Sequence, residues 1–174
     1  MMRLDITNII LLLILGTAIA SDLRWRTIPN WLTGPAILAG LGLHTFMNQW
    51  TGLVFSLEGV ALGLGLFLII YVFGWMGAGD VKLYAAVGSF LGPVHTLSAA
   101  IVIALVGGLL ALVVLGFHQG WRNTGLWIWS YVQGIVLTRS VQGMTVVQAT
   151  APKVPYAVAI GLGTIGSYWW HPLL

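Results

Sequence analysis

Long runs of apolar residues constrain this chain more than any other feature of its sequence. Hydrophobic residues make up 59% of its 174 residues and charged residues only 6%, which is more apolar surface than a soluble domain can bury. Each run is close to the roughly 20 residues that an α-helix needs to cross the hydrocarbon core of a bilayer. The six runs cover residues 4–21, 31–48, 57–74, 81–97, 98–117 and 154–172. The sequence therefore predicts an integral membrane protein.

The fold class predicted from these runs is all-α, a polytopic membrane helix bundle of about six transmembrane helices in a single domain, residues 1–174. Helices are favoured over a β-barrel because each run satisfies its own backbone hydrogen bonds and no alternating polar and apolar pattern is present. Pro29 and Asn30 predict the start of the second helix. Gly92 and Pro93 interrupt the fourth run, so we expect its helix either to kink there or to stop short and turn into the fifth.

A long connection, residues 118–153, separates the fifth and sixth runs. Its apolar part, 125–137, is too short to span a bilayer and contains tryptophan and tyrosine, which favour the membrane interface. We expect this part to be an interfacial or re-entrant cytoplasmic segment. A polar cytoplasmic stretch is expected to follow over 139–153.

The placement of the basic residues predicts the orientation of the bundle. If all the runs span, most basic residues share one side, which the positive-inside rule makes cytoplasmic, and both termini then lie outside. These residues are Arg24, Arg26, Lys82, Arg122, Arg139 and Lys153. A cleaved signal peptide is an alternative for the N-terminus, because Arg3 precedes an apolar stretch and the sequence AIAS (18–21). Asp5 and the basic residues after the helix favour a retained membrane helix instead.

The composition excludes several kinds of chemistry. The chain has no cysteine, so disulfides, thiolate catalysis and a cysteine-based zinc site are excluded. Its four histidines are scattered without the spacing of metal ligands, and we expect neither a metal nor a cofactor. A net charge of +3 gives no indication of nucleic-acid binding, and the expected surroundings are the lipid bilayer.

Two aspartates are predicted to lie at the same membrane boundary. Asp22 closes the first helix, and Asp80 opens the fourth within the sequence GWMGAGDVKL (74–83). An ionised carboxylate near the hydrocarbon is costly unless it is solvated or paired. Two of them at one depth, on different helices, therefore indicate a shared water-filled site.

Asp22 and Asp80 together would suffice for peptide hydrolysis. Two carboxyl groups within hydrogen-bonding distance do not both ionise at neutral pH, so one is a carboxylate and the other keeps its proton. The carboxylate can take a proton from water. The protonated group can polarise a peptide carbonyl and later protonate the leaving nitrogen. Such chemistry needs neither a metal nor a covalent intermediate. Taken alone, the Gly-Ala-Gly before Asp80 is also typical of an interhelical turn with Asp80 as an N-cap.

Three neighbours of Asp80 complete the candidate site. Gly77 and Gly79 lack a Cβ, so the backbone before Asp80 can take positive φ angles and let a substrate chain pass close by. Lys82 is two residues from Asp80, and this spacing directs the two side chains apart on a helix. We interpret Lys82 either as an interface anchor or as a charge that orients the substrate.

These residues resemble one family, the type IV prepilin peptidases. GAGDVKL (77–83) is similar to the Gly-x-Gly-Asp signature of that family, and SDLRWRTIPNW (21–31) resembles the segment that carries its first catalytic aspartate. KVPYAVAIGLG (153–163) is similar to the Pro-Tyr stretch that opens its last helix. Longer members carry an N-terminal insertion with paired Cys-x-x-Cys motifs. This sequence has neither that insertion nor any cysteine, so it is similar to the short forms found in tight-adherence pilus systems.

The resemblance implies an aspartic endopeptidase of the bacterial inner membrane that acts on prepilin or pseudopilin precursors. Cleavage after a glycine would remove their basic leader on the cytoplasmic side. Asp22 and Asp80 would be the catalytic pair, and Gly77 and Gly79 would support the site through the backbone, with Lys82 as the residue that orients the substrate. Methylation of the new N-terminus, which the longer members perform, is not expected.

Other functions stay open at this point. A small proton- or cation-coupled transporter could use the same acids as relay groups, although the sequence has no inverted repeat and no acid near the midplane of the predicted bundle. A structural assembly subunit would need neither aspartate. A different intramembrane protease with the Gly-x-Gly-Asp signature is also compatible with these residues.

Overall fold

The protein folds into helices that are connected by short turns in the part of the chain that the structure describes. This computed structural model describes residues 5–72, 74, 76–120, 125 and 155–168. In chain order its helices are α1 (Ile6–Trp25), α2 (Asn30–Val72), α3 (Ala78–Gln119) and α4 (Tyr156–Ser167). Regular secondary structure in the described ranges is helical throughout, which confirms the all-α prediction.

Three of the described helices are long and apolar enough to cross a membrane. They are α1, α2 and the Ala78–Phe117 part of α3, whereas α4 is apolar but shorter. As one straight rod, the 43 residues of α2 would be roughly 65 Å long, about twice the thickness of the hydrocarbon core. Both α2 and α3 contain a break in their helical backbone angles.

The chain divides into two compact units. The first, Met1–Val106 with Pro155–Leu174, holds α1, α2, α4 and most of α3. The second is Gly107–Val154, and its described part is chiefly the C-terminal end of α3. The predicted interfacial segment, apart from residue 125, and the predicted polar stretch both lie outside the described residues. The single domain proposed from the sequence stays a prediction.

The helix α2 folds back on itself at Asn48 and Gln49, whose backbone angles are not helical. Its two halves run antiparallel, because Gly52 lies directly against the carbonyl of His44 and, farther from the turn, the Ser56 hydroxyl lies 3.4 Å from the Gly40 carbonyl. The missing side chain of Gly52 lets helix resume immediately after the turn. The residues between the second and third apolar runs are therefore mostly helical, since residues 50–56 belong to the second half of α2.

The break in α3 lies at Gly92, which has a φ angle of 70° and precedes Pro93. Glycine takes positive φ at little cost, and proline suits the first turn of the helix that follows. The Tyr84 hydroxyl donates a hydrogen bond to the Thr96 carbonyl. Twelve residues along a straight helix span about 18 Å, farther than a tyrosine reaches, so the chain turns back here. The predicted interruption at Gly92 is confirmed, although the two helices meet there rather than after residue 97.

Small residues bring α2 and α3 into backbone contact. A Cβ at Gly59 would overlap the carbonyl of Gly88, and a Cβ at Gly40 would overlap the Ser89 side chain. The buried Ser56 hydroxyl donates to the Ser89 carbonyl at 2.8 Å. We call this contact, formed by Gly40, Ser56, Gly59, Gly88 and Ser89, the glycine interface. Close approach at small residues is typical of membrane bundles, in which van der Waals packing holds helices together.

The helix α4 packs against α1 and α3. A Cβ at Gly163 would lie 2.8 Å from the backbone of Ile103 on α3. Just after α4, the Tyr168 hydroxyl donates to the Asn8 side chain near the start of α1, at 2.7 Å. The end of α4 thus meets the start of α1, so the start of α4 lies near the end of α1.

Candidate active site

Asp22, the first predicted site residue, lies in the last turn of α1 and is only 9% exposed. The helix ends at Arg26, whose left-handed backbone (φ 53°) lets its N–H donate to the Asp22 carbonyl at 2.8 Å. The Ser21 hydroxyl donates to the Thr27 carbonyl at 2.8 Å and ties the following loop to the helix end. Local hydrogen bonds therefore end α1 at Trp25, three residues after Asp22.

The start of α4 binds the carboxylate of Asp22. The main-chain N–H of Ala157 donates to Oδ2 of Asp22 at 3.3 Å. Ala157 is the second residue of α4, and N–H groups in the first turn of a helix have no partner within that helix. They are available to an anion, which the helix dipole also favours at this end. The positive charge of Arg26 acts on Asp22 as well.

Asp80, the second predicted site residue, lies in the first turn of α3. Since α3 begins at Ala78, Gly77 occupies the N-cap position, and its N–H donates to Oδ2 of Asp80 at 3.3 Å. The alternative in which Asp80 is itself the N-cap is wrong, because Asp80 is the third residue of the helix. Its other oxygen, Oδ1, is buried and has no hydrogen-bond partner within the described residues. One carboxylate oxygen thus binds the helix start, while the other has no hydrogen-bond partner among the described residues.

The two glycines of the signature serve close packing. Neither Gly77 nor Gly79 has a positive φ angle, so the prediction of such angles is wrong. A Cβ at Gly79 would lie 3.1 Å from the Cβ of Ile28, which is buried in the loop between α1 and α2. A Cβ at Gly77 would lie 3.2 Å from Oδ2 of Asp80. A side chain at either position would press on the loop after Asp22 or on the Asp80 carboxylate.

The structure brings Asp22 and Asp80 to the same end of the helices. Here α1 ends and both α3 and α4 begin, and the negative charge of Asp22 acts on Asp80. Tyr156, half-buried at the start of α4, also interacts electrostatically with Asp80. Side chains and main-chain groups from three helices therefore surround the two carboxylates.

Sequence reasoning misses two residues of this region, Tyr156 and Ala157. The Pro-Tyr stretch at the start of the last helix was the available signal for Tyr156. Ala157 contributes only its main-chain N–H, a group that nearly every residue carries. No side-chain pattern could have indicated it.

Lys82 binds Asn30 and not Asp80. Its Nζ donates to Oδ1 of Asn30 at 2.9 Å on the exposed surface. Asn30 is the first residue of α2, which confirms the predicted start of that helix after Pro29. The bond therefore joins the start of α2 to the second turn of α3, two residues after Asp80 in the sequence.

The chemistry that this arrangement supports is acid and base catalysis. Carboxyl groups both accept and donate protons, and each of these two has one oxygen bound by a main-chain N–H at a helix start. Among the described residues, no three His, Asp or Glu side chains come together as the ligands of a metal ion would.

A sequence model of one known family matches residues 9–115, well over half of the chain, and this range contains both aspartates and the Gly-x-Gly-Asp signature. The chain belongs to the type IV leader peptidase family. The protein is therefore a peptidase, and the resemblance to the prepilin peptidases is confirmed. Its long apolar helices make this leader peptidase an integral membrane protein.

The match ends before α4, so Ala157 lies outside the matched residues. Comparisons with curated proteins and with solved structures gave no match.

Proposed function

We propose that this leader peptidase is an aspartic endopeptidase that removes the basic leader of prepilin or pseudopilin precursors by cleavage after a glycine. The observation that carries the proposal is the pair Asp22 and Asp80. These two acids come from different helices and lie close enough for their charges to interact at one end of the bundle. Family membership supports the leader peptidase activity.

In the proposed reaction, one carboxylate takes a proton from a water molecule, and the water oxygen attacks the carbonyl carbon of the glycine before the scissile bond. The other, protonated carboxyl group donates a hydrogen bond to that carbonyl oxygen. When the tetrahedral intermediate collapses, the C–N bond breaks and the leaving nitrogen receives a proton from the pair. The unpartnered Oδ1 of Asp80 is the oxygen best placed to engage water or the carbonyl, because Oδ2 is already bound.

The same residues support a site at the cytoplasmic boundary of the bacterial inner membrane. Both aspartates lie near helix ends, and the basic residues Arg24, Arg26 and Lys82 are close to them in the sequence. The breaks in α2 and α3 divide them into shorter helical pieces, which suits a bundle of about six crossings with both termini outside. A precursor helix would lie beside the bundle in the bilayer with its leader junction at the aspartates. The reaction as written requires no cofactor.

The test is cleavage of a precursor with a basic leader, a glycine junction and an apolar helix by purified enzyme, followed by mass spectrometry. We expect the wild type to release the leader after the glycine, and we expect both Asp22→Asn and Asp80→Asn to be inactive while remaining inserted and folded. Asp5→Asn is the matched control, since Asp5 lies at the opposite end of α1, is exposed and makes no capping hydrogen bond.

Cleavage by both purified aspartate variants at the wild-type rate would disprove the proposal. An added methyl group on the product would overturn the expectation that this enzyme does not methylate the new N-terminus.

A further inference from the structure

We propose that α4 is part of the catalytic site and that Ala157 is a positioning residue, whose main-chain N–H orients the carboxylate of Asp22. This inference rests on the proposed function and deepens it. Leader peptidase family membership is carried by residues 9–115, and Ala157 lies well beyond that range. The role of α4 therefore follows from the three-dimensional contacts alone.

The first step is the hydrogen bond itself. Ala157 and Asp22 are 135 residues apart in the sequence, and the N–H donates to Oδ2 at 3.3 Å. Ala157 is fully buried and Asp22 is 9% exposed, so little water reaches the bond. A hydrogen bond to a carboxylate is stronger than one between neutral groups, and burial strengthens it further. It therefore restricts the orientation that the Asp22 carboxylate can take.

The second step is that the donor is itself held in place. At the far end of α4, Tyr168 binds Asn8 on α1 at 2.7 Å. Along its length, Gly163 and Gly166 of α4 pack closely on the Ile103 and Val102 region of α3. The first turn of α4 consequently has a fixed position relative to the end of α1. A hydrogen-bond donor that is already in position does not have to move during the reaction. Active sites depend on such preorganised groups.

The third step is a comparison between the two carboxylates. Asp80 is oriented by Gly77, three residues before it at the start of the same helix. Asp22 lies at the C-terminal end of α1, where the helix has no free N–H groups and its dipole disfavours a negative charge. Asp22 therefore needs a donor from another element, and the Ala157 N–H of α4 is that donor among the described residues.

The test removes the N–H of Ala157. Proline is tolerated in the first turn of a helix, so Ala157→Pro deletes the donor without breaking a hydrogen bond within α4, and it adds a ring at a buried position. We expect kcat for precursor cleavage to fall about 10- to 100-fold with KM unchanged, because the substrate still binds but Asp22 is no longer oriented. Ala157→Gly retains the N–H and should keep kcat close to that of the wild type.

The matched control is Val158→Pro in the same turn. The N–H of Val158 donates to the Pro155 carbonyl at 3.2 Å and not to Asp22, so its loss should leave kcat close to that of the wild type. If Ala157→Pro fails to fold, lactic acid incorporated at position 157 by nonsense suppression replaces the amide by an ester and removes the N–H without the proline ring. The same fall in kcat is expected for this ester variant.

Wild-type kcat in a folded Ala157→Pro or ester variant, or an equal loss in Val158→Pro, would overturn the inference. Asp80→Asn in the same assay shows whether the role of α4 or the proposed peptidase function itself is wrong. If Asp80→Asn is inactive while Ala157→Pro keeps the full rate, the peptidase assignment stands and only the role of α4 is rejected.

Discussion

The glycine interface and the candidate active site are both places where helices meet, but they are held together in different ways. At the glycine interface, α2 and α3 touch backbone to backbone, and the buried Ser56 hydroxyl bridges them. At the site, single hydrogen bonds of 3.3 Å bind the two carboxylates to the starts of two helices. The first arrangement supplies packing, whereas the second supplies orientation. Substitutions at the glycine interface should therefore lower stability, whereas substitutions at the site should lower the rate of cleavage.

The largest effect on stability is expected from Gly59→Ala in the glycine interface. A Cβ at Gly59 would overlap the Gly88 carbonyl, so α2 and α3 must separate to accept it. Overpacking of this kind costs about 1–3 kcal/mol. Thermal unfolding in detergent should show a lower midpoint together with a proportionate loss of active enzyme. Gly65→Ala, also in α2 but with open space around the added Cβ, should unfold like the wild type. Equal midpoints for the two variants would contradict the close contact.

A smaller and different effect is expected from Gly79→Ala beside the site. The added Cβ would lie 3.1 Å from the Cβ of Ile28, so the start of α3 must shift by a few tenths of an ångström relative to the loop after Asp22. Because catalysis is sensitive to such displacements, kcat/KM should fall about threefold to tenfold with little change in the unfolding midpoint. Gly34→Ala, which has open space, serves as the control. If Gly79→Ala instead lowers the unfolding midpoint strongly and leaves kcat per folded enzyme unchanged, Gly79 serves helix packing and not the geometry of the site.

The smallest effect is expected from breaking the bond between Lys82 and Asn30. The bond is exposed and competes with water, so Lys82→Ala and Asn30→Ala should each change kcat/KM by less than about threefold. The double variant should be no worse than either single variant if the two residues act only through each other. If Lys82→Ala alone weakens cleavage strongly, Lys82 contacts the substrate, and the interpretation as an orienting charge is favoured over that of an anchor.

Much of the fold follows from local chemistry and could be predicted. The apolar runs predict α1 and the core of α4, and Pro29 and Gly92 mark a helix start and a helix break that the structure confirms. The tight turn at Asn48 could not be predicted in its length. It depends on Gly52 meeting the His44 carbonyl, a contact between two segments that hydropathy does not encode.

Hydrophobicity, glycine and carboxylate are properties of individual residues. For this reason the helical membrane class, the family and the importance of the two aspartates could be predicted from the order of the amino acids. The groups that surround those aspartates depend on how the helices pack. This packing places Gly77 and Gly79 in close contacts with Asp80 and Ile28, and it brings the Ala157 N–H to Asp22. Nearly every residue carries such an N–H, so the packing of α4 on α1 alone determines which one reaches the Asp22 carboxylate.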